Sequence, residues 1–195
     1  MRKAKLILLG SIISLFAIVS MSNAVEQNTL MDITYSDLTK DARKQVDCLA
    51  ENIYHEAGHE TEVGKQAVAL VTMNRTDSGK FPSSICGVVK QKIEGSCQFS
   101  WFCMPVTLNR NSEAYKRSME VALYVYANYE KLKDVTHGAL YYHADYVNPR
   151  WRNLTVTTQI GRHIFYKEKV GFQYIVDSIF RIKAEAEIAG NKVMR

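Results

Sequence analysis

The sequence has 195 residues, of which 47% are hydrophobic, 23% are charged and three are proline. It is long enough to bury one core, and it lacks the low hydrophobicity and high net charge of a disordered chain. The formal charge of +5 falls to +2 without the three basic residues of the first 24. The remaining lysines and arginines are scattered among acids, whereas a phosphate-binding surface needs clustered positive charge, so nucleic acid is not the expected ligand.

The first 24 residues have the pattern of a secretory signal. A basic start precedes an apolar run over 6–21, and a small-x-small cleavage site ends at Ala24. The run is shorter than the about 20 residues that a membrane span needs. We expect cleavage after Ala24, export to the periplasm, the cell wall or the medium, and no stable membrane span afterwards. An uncleaved anchor is the alternative.

All four cysteines lie in the part that we expect to be exported, where an oxidising compartment permits disulfides. Four cysteines allow three pairings, and their spacing does not choose among them. We favour Cys97 with Cys103, which closes a short loop and leaves Cys48 to pair with Cys86. Zinc binding by cysteines alone is the lesser alternative, because no C-x-x-C pair is present.

After a loose lead-in over 25–35, the first helix begins at a Ser36 or Thr39 cap and ends at Gly58. Apolar residues recur within it every three or four positions, which lays one stripe against a core. Glu56 falls in its last turn. The carbonyl end of the helix dipole disfavours a negative charge there, so a carboxyl group in this place tends to keep its proton.

The pattern changes from helix to strand after Gly138. Before it, apolar periodicity predicts helices over about 62–75, 85–91 and 112–132, with Thr61 and Ser112 as caps. After it, β-prone runs cover 139–143, 155–158 and 164–166, with a turn at Gly161. A final helix is predicted over about 173–189. The fold class is therefore α+β, mainly helical with a small antiparallel sheet toward the C-terminal part.

The residues from His55 to His59 spell H-E-x-x-H, which on a helix places two imidazoles as zinc ligands beside a glutamate. Gly58 weakens the helix where both histidines must face inward. The extended zincin pattern also fails, because Glu62 and Lys65 stand where it needs Gly and His. A zinc metallopeptidase is therefore the alternative, and we expect neither a metal nor another cofactor.

Two groups of aromatic and polar residues suit a sugar ligand. In the first, over 95–105, Trp101 can stack on a pyranose ring while Gln98 and Ser100 hydrogen-bond its hydroxyls and amides. A core role is the alternative for each aromatic residue taken singly. The second group lies in the predicted sheet, where some members face a cleft and others are structural: Tyr141, Tyr142, His143, Trp151, His163 and Tyr166.

A series of motifs follows in order between residues 47 and 167: Cys48-Leu49-Ala50, Tyr54-His55-Glu56-Ala57, Gly64-Lys65-Gln66-Ala67-Val68-Ala69, Met73-Asn74-Arg75, Gln98-Phe99-Ser100-Trp101, Gly138-Ala139-Leu140-Tyr141-Tyr142-His143 and Ile160-Gly161-Arg162-His163-Ile164-Phe165-Tyr166. Together they resemble the cell-wall hydrolase family of spore-cortex-lytic enzymes. The resemblance implies a lysozyme-like α+β domain that cleaves peptidoglycan glycan strands, with Glu56 as the catalytic acid. The chain departs from the family at Gly58-His59, where Arg-Gly is usual, and at Met104-Pro105, where Asp-Gly is usual.

The resemblance favours a lytic transglycosylase, in which Glu56 first gives and then takes a proton as the bond between N-acetylmuramic acid and N-acetylglucosamine breaks. Hydrolysis needs a second carboxylate, and Glu60 is the nearest in sequence, although a salt bridge or a helix cap explains it equally well. A non-catalytic wall-binding protein is a third hypothesis. We expect eight residues to bind substrate or to support the acid: Tyr54, His55, Glu60, Gln98, Ser100, Trp101, Tyr142 and His143.

The expected organisation is a signal (1–24), the lead-in (25–35), one catalytic domain (36–168) and a helical tail (169–195). The expected partner is peptidoglycan, bound by a monomer.

Overall fold

The computed structural model describes residues 32–169, together with residues 171 and 183. The predicted signal, most of the lead-in and the predicted C-terminal helix, apart from Lys183, lie outside the described residues. Within the part that the structure describes, no helix combines the length and the apolar character needed to cross a membrane.

The N-terminal two-thirds of the described chain is helical, with α1 (Lys40–Ala57), α2 (Glu62–Asp77), α3 (Ile85–Val89) and α4 (Glu113–Asn128). Thr39, Thr61 and Ser112 each accept a hydrogen bond from the backbone N–H three residues on, as predicted for N-caps. The third long helix ends earlier than predicted. Its chain continues as a 3-10 turn, Tyr129–Lys131, instead of further α-helix.

Helix α1 lies at the centre of the helical core, against α2, α3 and α4. Its residues Val46, Leu49 and Ile53 are fully buried and pack with Leu70 of α2 and Val125 of α4. Burial of each large aliphatic side chain contributes about 1.5–3 kcal/mol. The core thereby fixes the direction in which the last turn of α1 presents Glu56.

Two disulfides bind the helical part together, and they are the pairs favoured from the sequence. Cys48 of α1 joins Cys86 of α3, with Cα atoms 5.3 Å apart. Cys97 joins Cys103, with Cα atoms 5.9 Å apart. The second bond connects a short hairpin, β1 (Lys92–Ile93) and β2 (Ser96–Cys97), to the 3-10 turn Ser100–Cys103.

The sequence did not predict this hairpin. Its two turn residues, Glu94 and Gly95, have φ of 50° and 82°. Two consecutive positive φ values match the twist of a tight hairpin. Glu94 gives no composition signal for that conformation, because glycine, asparagine and aspartate are the residues that normally mark it.

The C-terminal part forms the predicted antiparallel sheet of β3 (Tyr141–Ala144), β4 (Leu154–Ile160) and β5 (His163–Glu168), in the order β3-β5-β4. Gly161 has a φ of 55° and lies in the turn between β4 and β5, as predicted. The α+β prediction, mainly helical with a small antiparallel sheet toward the C-terminal part, is confirmed.

Alternation along the strands gives the sheet two different faces. On the inner face, Phe165 packs with Ala67 and Val71 of α2, and Tyr142 packs beside it. On the outer face, Tyr166 is paired in register with Tyr141 and stacks on His143. Adjacent residues of β3 therefore point in opposite directions, and Tyr142 is the one directed at the helices.

Candidate active site

Glu56 occupies the last turn of α1 and is partly buried. The hydroxyl of Tyr142 donates a hydrogen bond to its Oε2 at 3.1 Å. Burial raises the pKa of Glu56, and the Tyr142 hydrogen bond and the Arg75 charge oppose that shift without cancelling it. The carboxyl group thus keeps its proton to a higher pH than a free glutamic acid, which is what a general acid requires near neutrality.

Tyr142 reaches Glu56 from the inner face of β3. Its ring meets His163 edge-on, with centroids 5.3 Å apart, and lies 5.7 Å from the ring of Phe165. Burial and the negative charge of Glu56 raise the pKa of Tyr142 well above its usual value. The phenol therefore remains protonated and acts as a hydrogen-bond donor to the carboxylate.

Arg75 of α2 is a buried cation near this pair, with only 3% of its surface exposed. Its Nε donates to the carbonyl oxygen of Leu140 at 2.7 Å, and its guanidinium carbon lies 4.8 Å from the ring centre of Phe81 and 5.4 Å from that of Phe99. Its Nη1 is buried and has no hydrogen-bond partner among the described residues. Glu56 is the carboxylate whose charge acts on it.

Arg75 belongs to the motif Met73-Asn74-Arg75, but the sequence alone did not predict a role for it. A signal was present, because helix α2 is apolar around this position and a charged side chain on a buried stripe is rare unless it is paired. The partners that explain its burial come from β3 and from two aromatic rings, which only the folded chain brings together.

Trp101 and His55 form an aromatic wall on the helical side of the site. Their rings stack with centroids 4.5 Å apart and planes 21° apart. The indole Nε1 of Trp101 donates to Oδ1 of Asn52 at 3.3 Å. Because Asn52 and Glu56 are four residues apart on α1, they share a helix face, and Trp101 lies along that face. Burial lowers the pKa of His55, so its stacked imidazole is neutral at pH 7.

The remaining residues predicted on the helical side lie near this wall. Tyr54 meets His55 and Tyr115 edge-on, at 4.9 and 5.8 Å, and packs against the helical core. Gln98 is half-buried, with its backbone N–H bonded to the carbonyl of Gln91 at 2.9 Å, and Ser100 is exposed at the start of the 3-10 turn. Neither Gln98 nor Ser100 hydrogen-bonds Glu56 in the described structure.

His143 is on the opposite face of β3 from Tyr142. Its Nε2 is 2.8 Å from the Tyr166 hydroxyl, and its Nδ1 is 2.8 Å from the carbonyl oxygen of Ala144. The structure therefore separates two neighbours that the sequence grouped together: Tyr142 contacts the acid, and His143 belongs to the outer face of the sheet.

Glu60 lies in the turn between α1 and α2, where its carboxylate faces the β4–β5 turn. A Cβ atom added to Gly161 would overlap Glu60 Oε2, and the Glu60 charge acts on the buried His163. The Glu60 carbonyl accepts a hydrogen bond from Lys65 Nζ. The groups that shift the pKa of Glu56 are the surrounding protein, Tyr142 and Arg75, with no carboxylate of the described chain among them.

The H-E-x-x-H spelling does not form the continuous helix that zinc ligation by both histidines needs. Helix α1 ends at Ala57, Gly58 is its C-cap, and His59 lies beyond it with an exposed side chain. Across residues 32–169, 171 and 183, no set of three or more His, Cys, Asp or Glu side chains is placed to hold a metal ion.

A partly buried glutamic acid, held by a tyrosine hydroxyl and flanked by an aromatic wall, has the environment that a general acid needs near neutral pH. The sequence profile described as "Cell Wall Hydrolase" matches residues 59–166, which is more than half of the chain. The chain belongs to the cell wall hydrolase family. The matched range contains Arg75, Trp101 and Tyr142, and it begins just after Glu56.

Individual relatives are similar at a lower level of identity. A spore cortex-lytic enzyme of Halalkalibacterium halodurans is 27% identical over 143 residues, which cover 72% of this chain and 38% of the relative. The chain thus spans about two-fifths of that relative's length. The catalytic domain of the Bacillus cereus SleB protein is 27% identical, with a TM-score of 0.48, and the match covers 64% of this chain and 91% of that domain. The catalytic domain of the germination-specific lytic transglycosylase SleB from Bacillus anthracis is 28% identical, with a TM-score of 0.48 and coverages of 64% and 95%.

Proposed function

We propose that this protein is an exported peptidoglycan-degrading enzyme that cleaves the glycan strand between N-acetylmuramic acid and N-acetylglucosamine, as a lytic transglycosylase with Glu56 as its one catalytic carboxyl group. The observation that carries the proposal is the Tyr142 hydrogen bond to a partly buried Glu56 whose pKa burial raises. Membership of the cell wall hydrolase family and similarity to a spore cortex-lytic enzyme support peptidoglycan as the substrate.

In the first step, protonated Glu56 gives its proton to the glycosidic oxygen as the bond from that oxygen to the muramoyl C1 breaks. The leaving N-acetylglucosamine end becomes a free hydroxyl, and positive charge develops at C1. Glu56 becomes a carboxylate, which Tyr142 stabilises through its hydrogen bond and Arg75 through its positive charge.

In the second step, the carboxylate of Glu56 takes the proton of the muramoyl C6 hydroxyl as that oxygen bonds to C1. The product carries a 1,6-anhydro ring, and Glu56 is protonated again for the next cycle. No water is consumed and no protein nucleophile is needed. One carboxyl group that can hold and release a proton is sufficient for both steps.

The described contacts of the Glu60 carboxylate are with the β4–β5 turn, and none of them is with Glu56. A glycosidase of the usual kind places a second carboxylate about 5–9.5 Å from the acid, as nucleophile or base. The Glu60 carboxylate lies against Gly161 and near His163, and no carboxylate of the described residues contributes to the pKa shift of Glu56.

Digestion of purified peptidoglycan followed by mass spectrometry of the products tests the proposal. We expect 1,6-anhydromuramoyl ends from the parent protein and from Glu60→Gln, and a loss of about 10²–10⁴-fold in rate for Glu56→Gln. Glu120→Gln, the same change at an exposed position on α4, is the matched control and should retain activity. Reducing ends alone would instead establish hydrolysis, and loss of activity in Glu60→Gln would make Glu60 the second carboxylate.

The same assay in a strong chelator separates this chemistry from a zinc peptidase. We expect full glycan cleavage in chelator and in His59→Ala, because His59 is exposed and lies outside α1. Release of stem peptides that stops in chelator would favour the peptidase. N-terminal sequencing of protein recovered outside the cytoplasm tests export, with Val25 expected as the first residue.

A further inference from the structure

The outer face of the sheet carries an aromatic cluster that the proposed mechanism does not use. We call Tyr141, His143, Trp151 and Tyr166 the outer aromatic face. The ring of Trp151 lies 6.1 Å from that of Tyr141, 5.5 Å from that of His143 and 5.4 Å from that of Tyr166. Because Tyr141 and His143 alternate with Tyr142 along β3, this face points away from the face that carries the Tyr142 contact to Glu56.

Trp151 packs against three rings of the sheet yet remains accessible. It stands at 88° to the plane of Tyr166 and at 71° to that of His143, and 43% of its surface is exposed. The rings beneath it are fixed in turn, since His143 Nε2 is 2.8 Å from the Tyr166 hydroxyl. An exposed indole that is already packed against neighbouring rings has less rotamer freedom to lose when a ligand stacks on it.

The backbone beside Trp151 adopts a conformation that side chains disfavour. Arg150 has a φ of 53°, in the left-handed region that non-glycine residues seldom occupy. Such a residue costs free energy and persists where the surrounding structure holds it. Arg150 immediately precedes Trp151, whose ring packs against three rings of the sheet.

The charge around Trp151 is positive. Arg150 and Arg152 flank it in sequence, both are exposed, and neither forms an ion pair within the described part of the chain. The acids near this face are already engaged. Glu168 is bonded to Lys80 and to the Tyr141 hydroxyl, and Asp145 is paired with Arg162. The uncompensated charge next to the indole is therefore cationic.

We propose that the outer aromatic face is a second glycan-binding site, at which a sugar ring of peptidoglycan stacks on Trp151 and its carboxylate groups contact Arg150 and Arg152. Aromatic rings bind the apolar faces of pyranoses, and the lactyl and stem-peptide carboxylates of peptidoglycan match the positive rim. The ligand assignment rests on the proposed function. The site would hold the enzyme on the insoluble polymer independently of the strand at Glu56.

Sedimentation with insoluble peptidoglycan measures this binding, with Glu56→Gln as the parent so that the polymer is not digested. We expect Trp151→Ala in that parent to weaken binding about tenfold, or about 1.4 kcal/mol. Arg152→Gln should weaken it about threefold, with an effect that disappears at high salt because exposed charges are screened. Tyr124→Ala is the matched control, since Tyr124 on α4 is similarly exposed at 40% and should bind unchanged.

Val156→Glu provides a second probe that leaves all four residues of the outer aromatic face in place. Val156 is 56% exposed and pairs in register with Tyr166, so a carboxylate there faces the bound polymer. Val156→Glu should weaken binding to peptidoglycan, while the midpoint of its thermal unfolding stays near that of the parent. If Trp151→Ala fails to fold, Val156→Glu and Arg152→Gln together test the proposal. Binding equal to the parent in the folded variants would overturn the proposal. Failure of the proposed function is read separately from the digestion assay, where intact peptidoglycan or reducing ends alone would refute it whatever the binding result.

Discussion

The Tyr142 hydroxyl donates a hydrogen bond to Glu56 Oε2 at 3.1 Å, and these residues are 86 positions apart in the chain. The contact joins the last turn of the central helix to the inner face of the sheet. It favours the ionised form of Glu56, whereas burial favours the neutral form and has the larger effect on the pKa. The balance between the two decides whether the group can both give a proton and take one back.

Tyr142→Phe removes the hydrogen bond and keeps the ring. Because that bond lowers the pKa of Glu56, the pKa of Glu56 should rise further above its usual value. Glu56 then stays protonated to a higher pH, so the high-pH limb of kcat/KM should move to higher pH. The value of kcat should fall about tenfold, because the carboxylate that forms during the reaction loses a hydrogen-bond donor. A pH–rate profile on peptidoglycan measures both. Tyr54→Phe is the matched control. An equal shift of the high-pH limb of kcat/KM in Tyr54→Phe would contradict the role of Tyr142 in lowering the pKa of Glu56.

Glu56→Gln should stabilise the protein at neutral pH. The pKa of Glu56 is higher in the folded state than the about 4.3 of an unfolded glutamate, so between the two values the folded protein binds more protons. The free energy of unfolding therefore falls as pH rises through this window, by about 1.4 kcal/mol for each unit of difference between the two pKa values. Glutamine has no charge to lose, so the variant should unfold at higher urea concentration than the parent at pH 7.

The difference between Glu56→Gln and the parent should vanish below about pH 4, where the unfolded glutamate is also protonated. Glu120→Gln is the control, because Glu120 is exposed on α4 and surface substitutions usually change stability by no more than about 0.5 kcal/mol. A variant that is less stable than the parent at pH 7 would show that burial of Glu56 carries no such cost.

Local signals account for the parts of the fold that sequence reasoning predicted. Thr39, Thr61 and Ser112 cap helices because a hydroxyl next to an apolar repeat satisfies a free backbone N–H without help from the rest of the chain. The α+β class and the turn at Gly161 follow from the same kind of short-range pattern. The hairpin at Glu94 was missed because glutamate holds the first turn position, where glycine, asparagine or aspartate normally marks the turn, and its strands are only two residues long.

The candidate site was only partly predictable, because most of its contacts form only in the folded chain. Glu56 could be chosen from its motif and its helix end, but its neighbours depend on tertiary contacts. Tyr142 and His143 are adjacent in sequence, and only the strand's orientation decides which one meets the acid. Arg75 has a role only because β3 and two aromatic rings enclose it.

Arg75→Met tests the buried charge. The positive charge of Arg75 lowers the pKa of Glu56, so its removal should raise that pKa and move the high-pH limb of kcat/KM upward. Arg75→Lys keeps the charge, so the high-pH limb of its kcat/KM should lie near that of the parent. It loses the Nε hydrogen bond to Leu140, so it should remain less stable than the parent. A ¹³C NMR titration of the Glu56 carboxyl group, assigned with Glu56→Gln, reads the pKa without any substrate. A titration curve that is the same in Arg75→Met and in the parent would reduce Arg75 to a packing role.

The two disulfides should differ in their contribution to stability. Cys48 and Cys86 are 38 residues apart, whereas Cys97 and Cys103 are only 6 apart. Loop-closure entropy predicts a loss of about 4 kcal/mol for Cys48→Ala with Cys86→Ala, and about 2 kcal/mol for Cys97→Ala with Cys103→Ala. Urea unfolding of both double variants measures the difference. Equal losses would mean that strain or residual unfolded structure outweighs the entropy of the long loop.

Gly161 and Glu60 should be energetically coupled. Gly161 has a φ of 55°, and an added Cβ atom would overlap Glu60 Oε2, so Gly161→Ala carries both a backbone penalty and a steric one. Gly138 has a φ of 78° and open space around it, so Gly138→Ala carries the backbone penalty alone, about 1 kcal/mol. We expect Gly161→Ala to be the more destabilising of the two, by about 0.5–1.5 kcal/mol, because Glu60 Oε2 ends a flexible side chain that can rotate away at the cost of a less favourable rotamer. Glu60→Ala should recover the excess in the double variant, because it removes the atom that the new methyl group meets. Additive losses in this double-mutant cycle would show that the Glu60 side chain moves away from the new methyl group freely.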